Sequence, residues 1–136
     1  MKRLKITFLI TALCLLTACS PDAGGVADGQ PPAWHTISHA EAQQLMDETD
    51  DYILLDVRTE EEFNEGTIKG AILIPGSELR DRAEAELPDK DAVILVFCRS
   101  GRRSAAAAEL LASLGYTNVY DIGGIIGWPQ ELLSNP

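Results

Sequence analysis

Two apolar runs, YILLDV over residues 52–57 and AVILVF over 92–97, constrain this chain most. Neither alternates apolar with polar residues as a half-exposed strand would, so each reads as a strand covered on both faces. Such cover comes from helices, and helix signals stand between the strand signals. Ser38, followed three residues later by Glu41, forms a capping box ahead of HAEAQQLMDE. Thr59 with Glu62 forms a second one, over a short helix that ends near Gly66. WHTI at 34–37 reads as a first strand, AILIP at 71–75 as a third closed by Pro75, and residues 118–121 as a fifth. Ser77 is expected to start a short helix through Arg82, and residues 104–114 a longer one closed by Gly115. The alternation predicts an α/β domain with a mostly parallel five-stranded sheet and helices on both faces. Ligands of such sheets bind beyond the carboxyl ends of the strands. Three groups fall there: Asp56 to Arg58, Cys98 to Arg103, and Asp121 to Gly124.

The N-terminus carries a different signal. MKRLK is a short basic segment and ITFLITALCLL an apolar one, about as long as the core of a signal peptide and too short to span a bilayer comfortably. It runs into Leu16-Thr17-Ala18-Cys19, similar to the lipobox at which bacterial lipoproteins are cut and lipidated. The expected organisation is a lipoprotein signal peptide at 1–18, a lipidated Cys19 with a flexible tether to residue 33, and a folded domain over 34–133. Ser20 to Ala33 is rich in Gly, Pro, Ala and Asp, and as a coil of 14 residues it would span about 20 Å. Acyl chains on Cys19 would hold the domain to a membrane of the bacterial envelope, facing periplasm or exterior, without spanning it. Ser20 rather than aspartate after Cys19 points, in a Gram-negative host, to the outer membrane. The alternative is an ordinary signal peptide cut after Ala18.

That reading has two consequences. Cys14 leaves with the leader and Cys19 becomes a thioether, so Cys98 is the one free thiol of the mature chain, a candidate reactive group. Net charge, −10 over the whole chain, becomes −13 once Lys2, Arg3 and Lys5 are removed. So acidic a surface repels nucleic acid and anionic headgroups, which excludes binding to either through bulk charge. Against that background the stretch VFCRSGRRSAAAAELL, residues 96–111, stands out: three arginines lie within five positions of one thiol.

Cys98 ends a buried strand and a helix is expected to begin at about Arg103 or Ser104, so the residues between must turn tightly. Gly101 permits a backbone conformation that a side chain would resist. Successive amides of such a loop can point inward as an anion-binding nest, reinforced by the helix N-terminus. A thiolate on that floor is stabilised and its pKa falls. Arg99, Arg102 and Arg103 add positive potential and can fork onto an oxyanion. The bland alternative, an inert core thiol beside unrelated surface arginines, leaves the glycine and the helix start unexplained.

With these residues in view the chain resembles the rhodanese sulfurtransferases over roughly residues 34–132. The loop CRSGRRS at 98–104, the strand-end motif DVR at 56–58 with Gly66 to Pro75 following, and GGIIGW at 123–128 match that family in order. Thr67, Lys69 and Leu73 depart from its common His, Pro and Asn, at positions that look structural. The resemblance implies the three-layer rhodanese-like fold and a double displacement. Cys98 takes sulfane sulfur from a donor such as thiosulfate as a persulfide and passes it to cyanide or a thiol. Arg58, Arg99, Ser100, Gly101, Arg102, Arg103 and Ser104 are then the candidate substrate-binding residues. Asp56 is a supporting carboxylate, read as a partner for a loop arginine. No cofactor and no metal are expected, and the domain is expected to act as a monomer. His35 and His39 read as a strand-end and a first-turn helix residue with no visible tie to Cys98.

Two other classes compete. Dual-specificity phosphatases and arsenate reductases place five residues between their cysteine and the oxyanion-gripping arginine. Here four separate Cys98 from Arg103, and the next position is Ser104, so the cup is one residue shorter. A non-catalytic rhodanese-like binding module would not need Cys98 within a complete loop.

Overall fold

The computed structural model describes residues 34–133, and the expected leader, Cys19 and tether lie outside them. The order is β1 (Trp34–Thr36), α1 (His39–Glu48), β2 (Tyr52–Asp56), α2 (Glu60–Glu65), β3 (Ile72–Leu73), α3 (Leu79–Glu86), β4 (Val93–Cys98), α4 (Arg102–Ser113) and β5 (Val119–Gly124). The strands form one five-stranded parallel sheet in the order β1-β5-β4-β2-β3. The two apolar runs are β2 and β4, neighbours at its centre, where both faces are covered.

Side chains alternate across β4, so its buried residues divide between two cores. Ile94, Val96 and Cys98 face α3 and α4, packing with Leu79, Ala83, Ala107 and Leu111. Leu95 and Phe97 face the other way, packing with Ala42 of α1, Ile125 and Trp128. Helices on both faces make the expected three-layer α/β arrangement. It also puts Cys98 on the α4 side of the sheet at its carboxyl end.

Both capping boxes form. The Ser38 hydroxyl accepts the Glu41 N–H while Glu41 accepts the Ser38 N–H, and Thr59 and Glu62 do the same. Two helix starts differ from expectation. α3 begins at Leu79 rather than Ser77, because a turn closed by Glu78 N–H on Pro75 O occupies Pro75 to Glu78 first. It also runs past Arg82, whose guanidinium pairs with Glu78 and Glu86 one turn to either side. α4 begins at Arg102 rather than Arg103 or Ser104. Gly101 is its N-cap at φ +100, a left-handed conformation that turns the chain in one residue and shortens the loop to Arg99–Gly101.

At the end of β5 the pairing with β4 slips: Val96 faces Asp121 but Phe97 faces Gly123, leaving Ile122 as a bulge. The buried Asp121 carboxylate accepts the Gly123 N–H at 2.9 Å and steadies the bend. The bend delivers Gly124 beneath the cysteine loop.

Candidate active site

Cys98 is the last residue of β4 and 1% exposed. Its sulfur lies before the open N-terminus of α4, and Gly101 N–H donates to Sγ at 3.1 Å. Gly101 has no side chain with which to cap the helix, so the sulfur meets amides that would otherwise lack a partner. Burial raises the Cys98 pKa. The Ser104 N–H and hydroxyl, then the Gly101 and Ser100 N–H groups, more than offset it, and the pKa falls below the ordinary thiol value. The Ser104 hydroxyl also lies 2.9 Å from Gly101 O and 3.1 Å from Gly123 O, so these carbonyls and the sulfur compete for its one proton. The cup is thus chiefly backbone, with one hydroxyl.

The arginines separate into three roles. Arg99 and Arg102 are exposed at the rim, as is Ser100. Arg103, in the first turn of α4, donates Nη1 and Nη2 to the two carboxylate oxygens of Glu62 at 2.7 and 2.8 Å. That bond is the main reason its pKa is raised, and attraction to Cys98 adds to it against the cost of burial. Arg103 therefore sits beside the thiol with its orientation held by α2. Glu62 is held down to about 2, first by the Arg103 bond, with burial opposing and the Thr59 N–H assisting.

Arg58 corrects an expectation. Where the sequence predicts a ligand for the donor anion, the side chain is buried, with Nε 3.0 Å from both Asp56 oxygens and Nη2 2.7 Å from Oδ2 and from Gly66 O. Asp56 likewise serves Arg58 rather than an arginine of the cysteine loop. It also accepts the Arg58 N–H at 2.9 Å and the Thr67 hydroxyl at 2.9 Å. A carboxylate at the end of a central strand cannot reach water, so its neighbours in sequence and the chain crossing above it supply the donors. Thr67, one of the departures from the family pattern, is one of those donors.

Two grooves flank the loop. One, of about 430 Å³, runs between Val57 to Thr59, Pro75 to Ser77 and the Arg103, Ala106, Ala107 and Leu110 face of α4. The other, about 440 Å³, is lined by Ile37, Ser38, His39, Ser100, Ile122, Gly123, Gly124 and Ile126. Arg103 borders the first and Ser100 the second.

The roles of three contributors are not legible in the sequence. Glu62 was visible only as a capping residue, and its bond to Arg103 spans 41 positions. Gly124 stood in the GGIIGW motif without a reason. A Cβ there would lie 2.6 Å from Arg99 O and 2.7 Å from Ser100 Cα, so only glycine lets β5 support the loop this closely. His39 has a tie to that segment: Nε2 is 2.9 Å from Gly124 O and Nδ1 3.2 Å from Gly127 O. Nothing local in the sequence announced it.

Comparison with known proteins agrees with this geometry. Residues 38–131 match the family model described as a rhodanese-like domain. The thiosulfate sulfurtransferase PspE of Escherichia coli is 39% identical over 71 residues, covering 52% of this chain and 68% of its own length. A sulfurtransferase of Allochromatium vinosum is 39% identical over 95 residues, 69% of this chain and 86% of that protein. Among solved structures, a rhodanese-like domain protein from Staphylococcus aureus superposes with a TM-score of 0.66 at 30% identity, covering 75% of this chain and 99% of its own.

Proposed function

This chain belongs to the rhodanese-like domain family, and we propose that it is a sulfurtransferase that carries sulfane sulfur on Cys98 as a persulfide. The observation that carries the reading is the thiol at the N-terminus of α4, with Gly101 N–H on its sulfur and the Ser104, Gly101 and Ser100 amides lowering its pKa below the ordinary thiol value. A thiolate is the nucleophile of sulfur exchange, and here it needs no histidine base. With thiosulfate as donor, the Cys98 thiolate attacks the outer sulfur. A sulfur–sulfur bond forms to Cys98, the bond to the inner sulfur breaks, and sulfite leaves with the electron pair. The terminal persulfide sulfur keeps the negative charge and occupies the amide nest. Cyanide or a thiolate then attacks that sulfur, leaves as thiocyanate or a new persulfide, and returns Cys98 as thiolate.

In this reading Arg103 stabilises the departing oxyanion and the exposed Arg99 and Arg102 draw anionic donors and acceptors to the rim. Ser100, Gly101 and Ser104 hold charge on sulfur. Arg58 and Asp56 brace the strand end behind them. The test is the mass of the protein after incubation with thiosulfate. One sulfur atom should add, and cyanide should remove it as thiocyanate. Cys98→Ala and Cys98→Ser should abolish both steps while the fold survives, and sulfur transfer persisting in Cys98→Ala would remove the proposal.

The lipobox-like run Leu16 to Cys19 supports a second part of the reading: a domain tethered by lipid to an envelope membrane. The protein should then partition with membranes, and Cys19→Ala should block lipidation and release or stall the precursor. Unchanged processing together with unchanged membrane association in that variant would refute the anchor.

A further inference from the structure

We propose that His39 is a positioning residue for the cysteine loop, acting through the peptide that joins Gly124 to Ile125. The consequence for turnover rests on the sulfurtransferase reading, whereas the effect on the Cys98 thiol does not. His39 is the first residue of α1, at the opposite end of the sequence from the segment it holds. Its ring nitrogens face two carbonyl oxygens, Gly124 O at 2.9 Å and Gly127 O at 3.2 Å. Carbonyl oxygens only accept, and the shorter contact, from Nε2 to Gly124 O, is the one the relay uses. The Gly124 carbonyl and the Ile125 N–H belong to the same rigid peptide plane. That N–H donates to Cys98 O at 2.8 Å. One peptide therefore relays imidazole to cysteine backbone, and bonds arranged in such a chain polarise and strengthen one another.

Two further contacts make the relay stiff. The segment is wedged beneath the loop, since a Cβ on Gly124 would come within 3 Å of both Arg99 O and Ser100 Cα. A movement of the Gly124–Ile125 peptide is thus passed directly to Arg99 and Ser100, which lead to the amides addressing the sulfur. The imidazole plane is fixed in turn by Trp128, whose ring meets it edge-on at 5.2 Å and 72°. With the ring gone, α1 no longer holds the β5 end against the loop, and the amide nest loses its register with Sγ.

The full-length protein carries the test. Glutamine can place its amide nitrogen near the Nε2 position, whereas asparagine reaches only the Nδ1 position. Alkylation of Cys98 by iodoacetamide against pH, and sulfur loading from thiosulfate, are measured in His39→Leu, His39→Asn and His39→Gln. The Leu and Asn variants should shift the alkylation midpoint upward and load sulfur about tenfold more slowly, the effect of one hydrogen bond. His39→Gln should restore both to within about threefold. A folded His39→Leu with the wild-type midpoint overturns the proposal, as does rescue by Asn and not by Gln. If the Leu variant fails to fold, the Gln–Asn pair decides alone. A wild type that loads no sulfur would refute the sulfurtransferase reading and leave the alkylation comparison intact.

Discussion

Arg58 and Arg103 each grip a carboxylate with two nitrogens, one pair in the interior and the other at the mouth of the cysteine loop. Arg58 and Asp56 are two residues apart, with side chains 6% and 0% exposed. Arg103 and Glu62 are 41 residues apart, with side chains 37% and 20% exposed. Burial separates what the pairs can do. In the interior each charge depends wholly on the other, because water cannot replace a lost partner. At the mouth, water and salt screen the attraction, so the second pair contributes little to stability. Its value is directional: it spans from α2 to the first turn of α4 and fixes where a cation stands relative to the sulfur. One motif, an arginine forked onto a carboxylate, is therefore a brace in one place and, in the proposed reaction, an aiming device in the other.

The largest effect should come from breaking the brace. Asp56→Ala leaves a buried guanidinium with only Gly66 O and orphans the Thr67 hydroxyl, a loss of about 3–5 kcal/mol. Thermal melting should fall by more than about 12 °C, at roughly 4–8 °C per kcal/mol for a domain of this size. Arg58→Ala should destabilise similarly, whereas a selective loss of donor affinity would mean that Arg58 belongs to the site after all. Asp56→Leu with Arg58→Met should recover part of the stability, because an apolar pair has no charge to desolvate. If the double variant is worse than either single one, the interior pair is a net attraction rather than a mutual necessity.

Breaking the aiming device should invert that pattern. Arg103→Ala should change stability by less than about 1 kcal/mol but slow sulfur loading by roughly ten- to a hundredfold, the worth of one charged hydrogen bond in the transition state. Arg102→Ala should slow it less, since that side chain is exposed and not held beside the sulfur. Iodoacetamide should still find a reactive thiolate in both variants, because the Ser100, Gly101 and Ser104 amides survive. Equal loading rates in Arg102→Ala and Arg103→Ala would show that diffuse positive potential suffices and the Glu62 contact aims nothing.

How much of this was legible in the sequence follows the range of each interaction. The capping boxes, the buried strands and the glycine turn are written within a few residues, and all could be read directly. The start of α3 could not, because Ser77 looks like a cap until the turn after Pro75 claims it. At the site, Cys98, Gly101 and Ser104 could be placed because strand end, turn and helix start are consecutive. The Asp56–Arg58 pair reverses expectation because burial decides its role, and the Glu62–Arg103 pair has no local signal because its partners lie 41 positions apart. Nothing local to Asp56-Val57-Arg58 says that a carboxylate two residues away takes up the arginine. Glu62 and His39 reach the loop only through parallel crossovers that bring α2 and α1 to the same end of the sheet. Charge type and motif order survive in the sequence, whereas orientation is a property of the packed sheet.

The smallest expected effect tests the mouth pair through its protons. Glu62 is held down to about 2 from the usual 4.5, chiefly by Arg103. A carboxylate whose folded-state pKa is depressed contributes stability that is fully present above its unfolded value and is lost as pH falls through the folded one. The contribution should thus be complete above about pH 4.5 and should disappear towards pH 2. Other carboxylates also protonate in that window, so the wild-type curve alone does not isolate this pair. Glu62→Gln does, because its carbonyl oxygen can still accept the Thr59 N–H and one Arg103 donor while the charge is gone. The gap in unfolding free energy from urea titration between wild type and Glu62→Gln should be modest at pH 7, below about 1 kcal/mol for so exposed a pair, and should close as pH approaches 2. Added salt at pH 7 should narrow the same gap. A gap that stays constant from pH 7 to 2 would mean that the charge on Glu62 does not stabilise the fold. A gap as large as that of Asp56→Ala would mean that the mouth pair is a brace too, and the distinction between the two regions would fall.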